Sequence, residues 1–164
     1  EAWLCRHGDD AASSVHLELY PELPAAWRDE ALGAKWARIR DLRRVVTGAI
    51  ELERAQKRVG SSLQAAVELY AGPEDAALLA DIDLAELCIA SAAGVTPGPV
   101  PAGAFSLPDV PGVGVLVRIA DGDKCQRCWR ILPEVGSRAD HPDLCHRCAD
   151  VIEAAGLAPA VGGE

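Results

Sequence analysis

Four cysteines in two matched pairs constrain this chain more than any other feature. Cys125 and Cys128 form one Cys-x-x-Cys knuckle, Cys145 and Cys148 a second, with 16 residues between them. Each knuckle places two sulfurs on one tight turn, and a connection of this length lets the second turn fold back onto the first. Four thiolates then converge as a tetrahedron, the arrangement of a closed structural zinc site. All four positions are filled by protein, so one zinc per chain is expected to hold structure rather than activate water or substrate. The competing readings are two disulfides or four free thiols.

The cysteine usage fits a reducing compartment. Four of the six cysteines belong to the knuckles, while Cys5 and Cys88 lie in unrelated settings and read as ordinary thiols, Cys88 within an apolar strand. A cytoplasmic location is therefore expected. No run of about 18 apolar residues is present, and residues 1–6 lack the basic-then-apolar order of a signal peptide, so no membrane partner is expected. The sequence contains no methionine and begins Glu-Ala-Trp-Leu-Cys, which reads as a piece of a larger polypeptide. The formal net charge of −9 argues against a nucleic-acid partner until its distribution is considered. Residues 35–58 carry a local excess of five positive charges, whereas residues 64–120 hold seven acidic side chains against Arg118 alone.

In chain order, Ser13–Tyr20 alternates apolar and polar side chains and predicts an extended segment ending at Pro21. From Pro24 to about Val59 the period is helical, with Gly60 as a left-handed cap. Leu32, Trp36, Ile39, Leu42, Val45, Val46, Ala49, Ile50 and Leu52 share one broad arc, and Arg40, Arg43, Arg44, Arg54 and Arg58 cluster at its edge. Such a stripe is either a solvated face or a phosphate-tracking surface. Leu63–Tyr70, Glu86–Ala93 and Val113–Ala120 predict strands, and residues 74–82 a short helix. Gly94–Gly112 has five prolines and four glycines among its 19 residues and predicts a mobile loop. The expected fold class is α+β. A helical segment (1–62) is followed by a small α/β junction unit with a short antiparallel sheet (63–122). A four-cysteine zinc-finger or ribbon-like module (123–156) and a flexible tail (157–164) complete it.

No catalytic constellation is legible. Asp9-Asp10 and Glu74-Asp75 read as turn caps, and His7 and His16 have no identifiable partner. His141 and His146 flank or occupy the second knuckle, but four cysteines already complete a closed site. Binding is the better use of what remains. Arg127, Arg130, Arg138 and Arg147 accompany Trp129 inside the finger. A guanidinium pairs with phosphate or stacks on a base, and an indole is a platform for an unstacked base. The alternative for Trp129 is core packing in a module with little core. The alternative for the arginines is neutralising a zinc tetrathiolate of formal charge −2.

The segment Lys124-Cys-Gln-Arg-Cys-Trp129, with Glu134-Val-Gly136, His141-Pro142 and Leu144-Cys-His-Arg-Cys148, resembles the C-terminal zinc-binding module of the bacterial isoleucyl-tRNA synthetase family. Ser14-Val-His-Leu17, Tyr20-Pro-Glu22, Trp27, Trp36 and the run Glu51–Leu63 are similar to the end of its anticodon-binding helical domain. These motifs cover about 1–70 and 120–152 and leave 72–118 unassigned. The resemblance implies a C-terminal fragment of a ligase that joins isoleucine to its tRNA using ATP, the ATP-binding catalytic core lying outside this chain. It also implies a monomer whose partners are the anticodon stem-loop of isoleucine tRNA and the remainder of the synthetase. The RNA-binding role falls on Arg127 and Trp129, then Arg130 and Arg147, with Arg40, Arg44 and Arg58 as weaker candidates. Two rivals stand beside it: a zinc module of the DNA-repair glycosylase type that binds duplex DNA, and a purely structural zinc module. Glycosylase fingers place a β-hairpin between the knuckles, which Pro133-Glu134 and His141-Pro142 would break here.

Overall fold

The computed structural model describes residues 2–7 and 14–156. The expectations for Asp9-Asp10 and for the tail at 157–164 lie outside the described residues. The chain divides into two units, residues 1–33 and 34–164. In the first, helix α1 (Ala2–His7) is followed by 3-10 turns at Val15–Leu17 and Ala25–Trp27. The predicted extended segment at 13–20 is thus interrupted. The Ser14 hydroxyl accepts a hydrogen bond from the His16 amide and curls the chain into a turn instead. Leu17, Leu19, Tyr20, Leu23 and Trp27 are all exposed.

Helix α2 (Glu30–Ala55) begins later than its period predicts. Asp29 is the true start signal: its carboxylate accepts from the Leu32 amide at 2.9 Å, the N-cap bond that Pro24 cannot make. The helix also ends earlier, because Lys57 takes the left-handed conformation (φ 58°) and the Arg58 amide turns back to Glu53 O. Ile39, Leu42, Val45, Val46, Ala49 and Ile50 are buried as the arc predicts. Leu32, Trp36 and Leu52, at its ends and margin, are exposed.

The buried face of α2 packs on a three-stranded sheet of order β2-β1-β3. β1 (Ala65–Ala71) is central, with β3 (Gly114–Ile119) antiparallel on one side and β2 (Ala92–Pro97) parallel on the other. The sheet is therefore mixed, where a short antiparallel sheet was expected. A parallel neighbour needs a crossover, and α3 (Pro73–Leu79) with α4 (Leu84–Cys88) supplies it. Helix α4 corrects the expectation of a strand at 86–93. Asp83 caps it by accepting from the Glu86 amide at 2.9 Å, the Asp-x-x-Glu pattern of a capping box, and Ile89 closes it in the left-handed region (φ 56°). Cys88 is buried at the end of this helix, not in a strand.

The expected loop Gly94–Gly112 instead contains the end of β2, through Pro97, and then a segment packed against the core. Val110 and Val113 are fully enclosed in the core, and Phe105 exchanges two 2.9 Å backbone hydrogen bonds with Val115. The Phe105 ring lies in a notch on α2 where a Cβ on Gly48 would come within 2.8 Å of it. That close approach explains a glycine inside a long helix, where it costs about 1 kcal/mol relative to alanine. The chain continues through β4 (Asp123–Lys124), β5 (Ile131–Leu132) and α5 (His146–Ala154).

Candidate metal centre

β4 and β5 pair antiparallel and close the first knuckle as a small hairpin. The Cys125 amide donates to Arg130 O and the Trp129 amide to Cys125 O, both at 2.9 Å. The second knuckle is brought over by the Gln126 amide donating to Asp143 O, and Cys145 then opens α5 with Cys148 in its first turn. The four Sγ atoms lie within 4.8 Å of one another. Cys128 and Cys145 Sγ are 3.8 Å apart. Tetrahedral zinc with bonds of about 2.3 Å requires sulfur–sulfur edges of about 3.8 Å, so the donor set fits the ion. All six cysteines are free thiols, which removes the disulfide reading.

The electrostatics of the four sulfurs is uneven. Burial opposes ionisation of Cys125, but backbone N–H groups directed at its sulfur outweigh burial and bring the thiol down to about 6. One of these is the Cys145 amide at 3.4 Å. Cys145 itself is pushed up to about 12, by burial first and then by the neighbouring sulfurs. Cys128 is raised for the same reasons. Four thiolates in so small a volume repel one another, and a divalent cation relieves that repulsion.

Around the sulfurs, Arg127 Nη1 lies 3.6 Å from Cys148 Sγ, placed to offset thiolate charge. His146 Nε2 is 2.7 Å from Ser137 Oγ. His141 is buried with Nε2 at 3.6 Å from Glu153. Neither histidine belongs to the sulfur cluster. Asp140, His141 and Glu153 also converge, but Arg138 bonds to Asp140, Asp150 and Glu153 and offsets part of their charge.

The remaining candidates fall into different settings. Trp129 is 59% exposed, so it is not the module's core. Its backbone is left-handed (φ 66°), which costs a non-glycine residue about 1–2 kcal/mol. Lys124 Nζ stands 5.3 Å from the indole centroid, a cation–π pair. Lys124 was not among the residues singled out from the sequence. Its place next to a ligand cysteine and across the hairpin from Ile131 is the signal that could have found it. Arg130 turns inward and donates to Ser91 O at 2.7 Å. Arg147 is exposed, 3.7 Å from Glu86.

The stripe on α2 is largely engaged within the chain. Arg38 makes a two-pronged pair with Asp75 (2.8 and 2.6 Å), and Arg43 Nε donates to Leu87 O at 2.8 Å. Arg44 meets Asp109 at 2.6 Å, Arg54 meets Glu51 at 2.7 Å, and Arg58 pairs with Glu53. Arg40 is exposed and has no ion-pair partner among the described residues.

Residues 122–151 match the family described as a zinc finger found in FPG and IleRS. Over 153 residues, 93% of this chain, the sequence is 48% identical to the isoleucine-tRNA ligase of Bartonella henselae and 49% identical to that of Agrobacterium fabrum. It is 50% identical over 149 residues to the ligase of Ruegeria pomeroyi. The chain spans 15–16% of the length of these relatives and matches their C-terminal regions. Alignments this long take in residues 72–118, which the short motifs leave unassigned. Over most of its length the chain is thus similar to one stretch of isoleucine-tRNA ligases, and its residues 122–151 match the zinc finger found in FPG and IleRS.

Proposed function

We propose that this chain is the tRNA-binding end of a cytoplasmic isoleucine-tRNA ligase, gripping the anticodon stem-loop while a separate core performs ATP-dependent charging. One zinc per chain holds the knuckles, and Arg127 and Trp129 meet the RNA, with Lys124 beside them. Residues 1–62 are the end of the anticodon-binding helical region, 63–122 the junction unit and 123–156 the zinc module. The carrying observation is Trp129: a large indole, 59% exposed on a left-handed backbone next to a metal ligand. Folding alone favours glycine there, because only glycine takes that conformation without cost. A base stacked on the ring is worth about 1–3 kcal/mol and gives the indole a use. Arg40 is the α2 residue best suited to a phosphate, since Arg44 and Arg58 are paired within the chain.

The test is titration of the zinc-loaded chain with isoleucine tRNA and with duplex DNA at matched salt. Preference for the tRNA, weakened at least about tenfold by Trp129→Ala with zinc content intact, is the expected result. Preference for the duplex favours the glycosylase-type reading. The structural reading draws on a specific observation, the engagement of Arg127, Arg130 and Arg138 with partners in the chain itself. It predicts that Trp129→Ala leaves aminoacylation by the complete ligase unchanged.

A further inference from the structure

Ser91 joins the zinc module to the α/β unit through every polar group it has. The residue is fully buried between α4 and β2. Its amide donates to Ala65 O at 3.0 Å and its hydroxyl donates to Leu63 O, both on the α/β side. The same hydroxyl accepts from the Ile131 amide at 2.6 Å, and its carbonyl accepts from Arg130 Nη2 at 2.7 Å, both on the module side. A buried serine with two bonds into each of two substructures is costly to strand, because each lost partner leaves a desolvated polar group. Arg130 Nε is itself buried without a partner, so its guanidinium is held in place against a local penalty.

A stiff turn and a surface contact also tie the two sides of this junction. Gly122 has φ 109° and lies so close to Leu132 that a Cβ would run into its carbonyl. The Arg147–Glu86 pair is exposed at 3.7 Å, a geometry that contributes little in water. Arg130 and Ile131 immediately follow Trp129, so the clamp acts within two residues of the proposed RNA platform.

We propose that Ser91 and Arg130 are positioning residues that set the angle at which the zinc module presents Arg127 and Trp129 to a folded RNA. This rests on the RNA-binding reading above. A stem-loop is rigid, and once its loop is seated on the module its stem is committed to one direction. The module must then hold a fixed attitude to the α/β unit. A short single strand touches the module alone and is indifferent to that attitude.

Two RNAs therefore separate orientation from integrity: the anticodon-arm hairpin of isoleucine tRNA, and the single strand of its loop alone. They are titrated against the zinc-loaded chain and its Ser91→Ala, Arg130→Gln and Arg130→Lys variants, with zinc measured in each. The expected result is that Ser91→Ala and Arg130→Gln lower hairpin affinity about tenfold. The single strand stays within about twofold, zinc remains at the wild-type ratio, and Arg130→Lys, which still donates to Ser91 O, recovers most of the loss. Equal losses on both RNAs, or no loss on the hairpin, overturn the proposal while leaving the RNA-binding reading intact. Failure of the unsubstituted chain to bind either RNA overturns both.

Discussion

The α/β unit and the zinc module occupy one chain but are stabilised by opposite means. Around Leu42, Leu69 and Val115, sixteen buried side chains from α2, the sheet, the crossover helices and the 98–113 segment form one apolar cluster. In the zinc module the corresponding cluster is three buried ligand cysteines and Val135. The first is stabilised by area removed from water, roughly 25 cal/mol per Å² of apolar surface. The second has too little apolar surface for that and depends on metal–sulfur bonds. The two should therefore fail independently, under different insults.

The largest effect is expected from removing zinc. Structural zinc contributes about 10–16 kcal/mol of apparent binding energy in small finger peptides. Chelation, or Cys145→Ser, should collapse the NMR signals of residues 123–156 and leave those of 65–119 dispersed. Loss of both sets together would mean the regions form one cooperative unit. The converse break is Leu69→Ala, which should cost about 2–5 kcal/mol in urea unfolding of the α/β unit. Zinc content is expected to stay at one per chain.

Cysteine chemistry sharpens the contrast at a smaller scale. Burial pushes the Cys88 thiol up to about 11, against about 8.5 in an unfolded chain. A thiol held neutral in the fold contributes stability that is complete below pH 8.5 and is lost as the pH rises towards 11. At pH 8, an alkylating reagent should modify exposed Cys5, spare Cys88, and reach the four ligands only after chelation. The smallest effect is the most diagnostic. Trp129→Gly should relieve left-handed strain and stabilise the metal-loaded module by up to about 1 kcal/mol while weakening RNA binding. A loss of stability instead would show that the exposed indole contributes to packing.

The metal site was legible because its information is local: two Cys-x-x-Cys turns at a workable spacing specify four donors without any knowledge of the fold. The apolar face of α2 was legible for the same reason, through its 3.6-residue period. What stayed hidden depends on contacts distant in sequence. Nothing near Arg44 announces Asp109, and nothing near Arg130 announces Ser91, so a stripe of arginines that is largely exposed as its pattern predicts does not disclose which of its charges are paired within the chain. The crossover was misjudged for a different reason. Glu86–Ala93 is apolar enough for a strand, but the Asp83-x-x-Glu86 cap just upstream makes its first residues helical. Composition misled at 98–113, where prolines and glycines shape an ordered path rather than a slack one.

The Phe105 ring in the Gly48 notch bears on the order of assembly. These two positions are 57 residues apart in the chain, and the stretch between them includes β1, both crossover helices and β2. Closing so long a loop is entropically slow, whereas α2 and the β1–α3–α4–β2 crossover form from nearer neighbours. Docking of Phe105 then becomes a late, keyed step. Gly48→Ala, which crowds the Phe105 ring in the native state, should then speed unfolding far more than it slows folding.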